Sequence, residues 1–459
     1  MLTGAGMLLL PPPGALGFHG WAVLTMVVVA VILFVTEPIP LPAVALLIVA
    51  GQVILLNLDS SAVAQSLMND SVLFIMGSLM IAVALVKQKL DKRIAFLIVR
   101  LTGTKTFNVC LGISLLSGVL ASFIGEHTVA AMMLPVALTL IRLTSDDPKQ
   151  VRALAAVILF SICYGAAIGS IATPSGGARN AIMIGYWKSF FYDPNNPETA
   201  RYLIDYVKWM LYGYPLFLVQ VPFVTLLLFM TFRPGQKHIT RAVAKLRNQV
   251  EEEGPLRPSD YLTIAIFAAI LLAWILASDK IGLGTVALLG AAAFLVAGLV
   301  RWEEISSGVN WGVVLLYAAM ISLGVQMVET GAALWVARTF LGMLTSLDVN
   351  HGASLYAVLI ALTTLVTNTM STAAAIAVLG PIMLKLAGVV NESPLIIGFL
   401  TALASSFAYL TVVSAPACTI VYGSGYLRTT DFLAAGWKMV VLSSLVCIGA
   451  AVFYWPLLQ

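Results

Sequence analysis

"ASFIGEHTVAAMMLPVALTLI" (residues 121–141) and "TTLVTNTMSTAAAIAVLGPIML" (residues 363–384) share one plan, a short polar tip between two apolar runs. Each is followed by a second kind of interruption. "ICYGAAIGSIATPSGGARNAIMIGY" (162–186) is broken by small residues and proline at 170–180, and "SSFAYLTVVSAPACTIVYGSGY" (405–426) at 412–419. The polar positions keep register: Glu126 stands 48 positions before Pro174, and Asn368 stands 48 before Pro416. A chain that repeats a tip and a break at the same spacing reads as two copies of one unit.

Composition supplies the solvent. The chain has 459 residues, of which 60% are hydrophobic and 10% charged, against roughly 25% charged in an ordinary soluble domain. Fourteen apolar windows recur along it. A hydrocarbon core about 30 Å thick needs roughly 20 mostly apolar residues, so several of these windows are too short to cross unaided. The expectation is an all-α polytopic membrane protein, multi-pass in the cell (inner) membrane. The net charge is +4, and no Lys or Arg precedes Lys87. Basic residues then gather in "KQKLDKR" (87–93) and across 233–258, which places both stretches in the cytoplasm. The first 20 residues lack a basic n-region, so no cleavable signal peptide is expected.

The basic linker helix at 233–258 divides the chain into halves, 1–232 and 259–459. The first carries a hairpin near 106–143 and a broken helix near 152–187; the second carries a hairpin near 353–390 and a broken helix near 395–428. Counting spans outward from a cytoplasmic linker makes the halves enter from opposite faces. That is the inverted-repeat plan of many secondary transporters, with two re-entrant hairpins and two broken transmembrane helices.

Proline removes a backbone donor and glycine lets the chain leave helical geometry. At membrane depth the freed backbone groups are tolerated only against protein, water or ligand. Four such interruptions predict one internal cavity, and helix N-termini pointing into it would favour an anion. The four cysteines show no metal or disulfide spacing and read as small hydrophobes. The Trp and Tyr residues suit interfacial belts. No HExxH motif or Walker loop is present, so no metal site, no cofactor, no ATP-driven pump and no nucleic-acid partner is expected. An intramembrane enzyme would have only Glu126 and His127 as acid and base. The chain is not expected to be an enzyme.

At "TEPIPLPAVALL" (36–47), "LDKRIAFLIVRLTG" (90–103), "AAMMLP" (130–135), "TNTMSTAAA" (367–375) and "VYGSGYLRTTDFL" (421–433), the sequence resembles the divalent-anion/sodium symporters, the INDY-type dicarboxylate and citrate transporters. The resemblance covers nearly the whole chain. It implies a homodimer, and an elevator in which the hairpins and broken helices move as a body against a fixed scaffold. It also implies a Ser-Asn-Thr triplet at each tip. The second tip, Thr367-Asn368-Thr369, is close to that triplet, whereas the first reads Gly125-Glu126-His127. The breaks differ too, since the family's Thr-Pro-Pro-Asn becomes "TPSGGARN" and "SAPACT", and one amino-terminal span is missing or shortened. In the family each triplet forms a sodium site with its neighbouring break. Carried over, the implied ion-coupling positions are Gly125, Glu126, Gly169, Thr367, Asn368 and Ser371, with sodium at Asn368. The implied substrate-binding positions are Glu126, His127, Thr128, Ser170, Thr173, Thr367, Asn368, Thr369, Ser414, Ala415 and Pro416.

Glu126 admits several readings. It pairs with His127 or with Arg179, a built-in cation replacing sodium; or it exchanges a proton with His127; or its carboxylate binds sodium better than the amide it replaces. A plain interhelical hydrogen bond is the structural alternative. Arg179 either lines the cavity as a charge partner or snorkels to the surface. The expected function is secondary active transport, by symport or exchange, of a small organic anion, a di- or tricarboxylate. The coupling ion is expected to be Na+ or H+. The alternative is sulfate, sulfonate or another anion, proton-coupled or sodium-independent through Glu126 and His127, and a channel is the rival within transport.

Overall fold

The computed structural model describes the backbone of every residue except 1, 15, 37, 89–101, 145–147, 245–256, 345–350 and 413. Most of the connector at 90–103 and the acidic end of the linker at 233–258 lie outside the described residues. The first half runs through α1 (Leu2–Leu9), α2 (Phe18–Thr36), α3 (Leu41–Leu55), α4 (Ser60–Leu67), α5 (Asp70–Lys87), α6 (Thr106–Ile124), α7 (Glu126–Arg142), α8 (Pro148–Gly169), α9 (Ala178–Phe191) and α10 (Tyr206–Phe232). The second runs through α11 (Pro258–Ile281), α12 (Leu283–Val296), α13 (Trp302–Gly308), α14 (Trp311–Glu329), α15 (Ala332–Leu344), α16 (Gly352–Thr367), α17 (Thr372–Val389), α18 (Pro394–Ala404), α19 (Pro416–Tyr422) and α20 (Thr429–Gly449). Nine helices among the described residues are long and apolar enough to cross a membrane.

The order of elements recurs. Long α2 and α11 are each followed by a shorter apolar helix, α3 and α12, then by a polar turn of helix, α4 and α13, and then by long α5 and α14. The packing recurs with the halves exchanged, because α5 packs on α12 while α14 packs on α3. Asp70, at the start of α5, accepts from the Gly284 N–H at the start of α12 at 3.0 Å. The contacts between the two parts of the chain are thus reciprocal.

The hairpins pack on the broken helices through small residues. A Cβ at Gly169 would lie 2.1 Å from the Gly118 carbonyl oxygen, and one at Gly165 would lie 2.5 Å from that of Ser114. α6 and α8 thus touch backbone to backbone, as membrane helices do where small residues face each other. Gly169→Ala is expected to force them apart at a cost of about 1–3 kcal/mol, the usual range for overpacking. A lowered melting temperature of the detergent-solubilised protein checks this; an unchanged one contradicts it.

The second hairpin and break engage the first in the same exchanged manner, with α19 packed on α7 and α9 on α17. This exchange brings the two tips together. Polar side chains tie helices across the fold: Ser322 donates to Gln52 at 2.8 Å, Ser443 donates to Gln220 at 2.7 Å, and Arg152 meets Asp431 at 3.2 Å. Cys110, Cys163, Cys418 and Cys447 are buried free thiols, as their spacing implied. The belt reading of the tryptophans needs correction for Trp187, Trp209, Trp274 and Trp455, which are fully buried. Each is accommodated because its indole N–H donates to a backbone carbonyl, at 2.9–3.2 Å.

Candidate functional site

The first tip is a single-residue turn. Gly125 closes α6 and opens α7 at φ 83°, ψ 151°, a region open essentially to glycine alone. Glu126 then occupies the first turn of α7, where the helix dipole favours a negative charge. It is 6% exposed.

The first break frees carbonyls, and side chains of the protein take up several of them. α8 ends at Gly169, a short 3-10 turn spans Pro174–Gly176, and α9 begins at Ala178. Asn180 donates to Ser170 O at 2.9 Å and to Thr173 O at 2.7 Å, while Trp209 donates to Ile171 O at 2.9 Å. The hydroxyls of Thr173 and Ser175 donate to Ser122 O on α6, which ties the break to the hairpin.

Arg179 lies at the start of α9 and is 2% exposed, so it does not snorkel. Its Nη2 donates to Ser170 Oγ, and its Nη1 stands 4.0 Å from Glu126 Oε1. Ser170 Oγ donates to Ala167 O at 2.6 Å, with Glu126 Oε2 farther away at 3.4 Å. Both charges are therefore buried and close, yet neither is saturated by the other. A charge-assisted hydrogen bond would bring them to about 2.7–2.9 Å.

In the second half the stitching residue sits on the tip instead. Asn368 donates to Thr364 O at 2.8 Å and to Phe407 O at 3.0 Å, and its carbonyl oxygen accepts from Leu410 N–H at 3.0 Å. Thr367 donates to Ser405 O at 2.7 Å, and Ser414 donates to Ala408 O and Thr411 O. The break itself corrects the sequence reading of 412–419, because α18 already ends at Ala404. The hydroxyls of Ser405 and Ser406 turn back onto the carbonyls of Ala402 and Leu403, both at 2.7 Å. Such back-bonding competes with continued helix, and Thr367 and Asn368 capture the carbonyls that follow.

The parts meet at one cavity of about 140 Å³. Its wall contains Gly125, Glu126 and His127 from the first tip, and Pro174 to Arg179 from the first break. Ser371, Thr372 and Ala373 come from the second hairpin, and Pro416 from the second break. Helices α5 and α14 complete it with Ser78 and Tyr317 among others. The N-terminal ends of α7, α9, α17 and α19 all reach this wall, a setting suited to an anion.

Of the residues singled out from sequence, Gly125, Glu126, His127, Arg179, Ser371 and Pro416 line the cavity. His127 is exposed at its rim. Gly169, Thr128, Ser170, Thr173, Thr367, Asn368, Ser414 and Ala415 do not line it; all but Asn368 are buried and Asn368 is half-buried. Thr369 is exposed, with its hydroxyl turned onto Val366 O at 2.7 Å. Sequence reasoning missed Asn180 and Ser78. Asn180 carried a signal, since a polar amide immediately follows a helix break as Asn368 precedes one; Ser78 carried none, standing within an unbroken apolar span.

The chain is similar over nearly all its length to known transporters. It is 24% identical to a sodium-dependent dicarboxylate transporter, SdcS, of Staphylococcus saprophyticus, over 98% of this chain and 89% of that protein. It is 26% identical to an uncharacterized transporter of Haemophilus influenzae, over 91% and 87%. Among solved structures, MtrF of Neisseria gonorrhoeae superposes with a TM-score of 0.56 at 11% identity, over 99% of this chain and 97% of that one. The YdaH transporter of Alcanivorax borkumensis gives 0.53 at 16% identity, over 84% and 86%. Both likenesses show the fold. The family model described as the sodium:sulfate symporter transmembrane region matches residues 1–459, and the chain belongs to that family of multi-pass cell-membrane transporters, not to the enzymes.

Proposed function

We propose that this protein is a secondary active transporter of small di- or tricarboxylate anions, in which Arg179 meets the anion and Glu126 meets the coupling cation. The observation that carries the reading is the 4.0 Å separation of these two buried charges in the wall of one cavity. Each has capacity left for a ligand of the opposite sign. An anion drawn to Arg179 leaves Glu126 in need of a cation, and a cation on Glu126 frees Arg179 for an anion. Binding of one therefore favours binding of the other, which is what coupling means thermodynamically. The names of the staphylococcal relatives support sodium as that cation, and carboxylate oxygen suits a hard ion. Thr367, Asn368 and Ser371 would hold a second sodium at the better-preserved tip.

The repeated order of elements and the exchanged packing support inverted halves at 1–232 and 259–459. On that plan both hairpins and both broken helices move as an elevator against α2–α5 and α11–α14, within a homodimer. Sulfate is the second reading, favoured by the small cavity and by the family's description. Uptake into proteoliposomes of succinate, citrate and sulfate, with and without sodium and with and without a proton gradient, tests the proposal. Sodium-driven, saturable succinate uptake is expected. Uptake driven by a proton gradient alone would make the cation on Glu126 a proton. Non-saturable flux would make the protein a channel.

A further inference from the structure

The tips and breaks supply much of the cavity wall, yet part of it comes from neither. α5 contributes Phe74, Ile75, Ser78 and Leu79. Ser78 is the one hydroxyl in that apolar group. Among the described residues, the buried polar side-chain atoms with no hydrogen-bond partner include Ser78 Oγ and Arg179 Nε, and these are the two of that set that line the cavity. Of the others, Asn180 Oδ1 lies in the first break without lining the cavity, and Ser114, Ser117 and Ser161 do not line it. A buried donor left unpaired is costly, and two of them in the wall of one small cavity point to something that pairs with both. A hydroxyl and a guanidinium N–H are both donors, so that ligand is an acceptor, and the guanidinium makes it an anion.

We infer that Ser78 is a substrate-contacting and specificity-determining residue: its hydroxyl donates to an oxygen of the same oxyanion group that Arg179 Nε–H holds from the opposite element. The inference rests on the transport reading above and deepens it. Ser78 belongs to α5, which packs on α12 and lies outside both hairpins and both broken helices. A contact from this helix exists only while the cavity faces it. Ser78 therefore raises affinity in one conformation of the transport cycle and not in the other.

The test compares wild-type protein with Ser78→Ala in two assays, proteoliposome uptake and thermal stabilisation of the solubilised protein by succinate and by sulfate. A hydrogen bond to a charged group predicts about a tenfold rise in KM and in the apparent Kd. The ligand-free melting temperature is expected not to fall, because Ser78 Oγ has no partner to lose there, whereas loss of a serine that holds the fold would lower it. KM and Kd within twofold of wild type overturn the inference, and so does a lowered melting temperature with unchanged Kd. Wild-type protein that is stabilised by an anion but does not carry it overturns the transport reading alone, and Ser78 is then judged on Kd. Protein neither stabilised nor active with either anion overturns both.

Discussion

Asn368→Ala is expected to lower uptake roughly a hundredfold while the full-length protein still reaches the membrane. Its side chain makes three hydrogen bonds, two of them to the broken segment after α18, at Phe407 O and Leu410 N–H. Truncation leaves that carbonyl and that amide without partners. Each unpaired buried group costs about 1–3 kcal/mol, and about 1.4 kcal/mol is a factor of ten. The loss falls on the geometry of the second tip, because the apolar helices α16 and α17 retain their packing. Uptake rates normalised to protein in the membrane fraction check it. Near-normal uptake would mean that the second break holds its shape without Asn368.

Arg179→Gln is expected to be at least as severe. It removes the anion's partner and leaves Glu126 as an uncompensated buried charge, a change that costs about 3–5 kcal/mol for well-formed buried pairs. With the two groups 4.0 Å apart, the lower end of that range applies, still a fall of about a hundredfold. Glu126→Gln differs in kind: the anion's partner remains, so succinate KM at saturating sodium stays within about threefold, while half-saturating sodium rises about tenfold as a charged ligand becomes an amide. The double variant restores neutrality and is expected to fold better than Arg179→Gln alone without recovering transport. If the two single losses simply add, the residues act independently and the coupling argument fails.

The hairpins and broken helices were legible because proline, glycine and polar tips are local signals in an otherwise apolar chain. Glu126 and Asn368 were legible as equivalent positions through their shared spacing to Pro174 and Pro416. What they do there was not. Asn368 ties its break from the tip, whereas in the first half Asn180 does so from the broken helix itself, and this leaves Glu126 facing Arg179. No local pattern announces that exchange. The early end of α18 escaped notice because Ser405 and Ser406 sit in a run that otherwise reads as helix, and their effect depends on partners more than 30 positions away at Thr367 and Asn368. Ser78 became visible only when the fold set α5 against the first break.

On the proposed function, both tips and both breaks enclose one anion site. A cryo-electron-microscopy map of the protein with its transported anion, in sodium, is the decisive measurement. Density is expected between the Gly125–His127 and Ser371–Ala373 segments, against the Arg179 guanidinium. Density at any other place, or a map in which the two tips face lipid apart from each other, would contradict it.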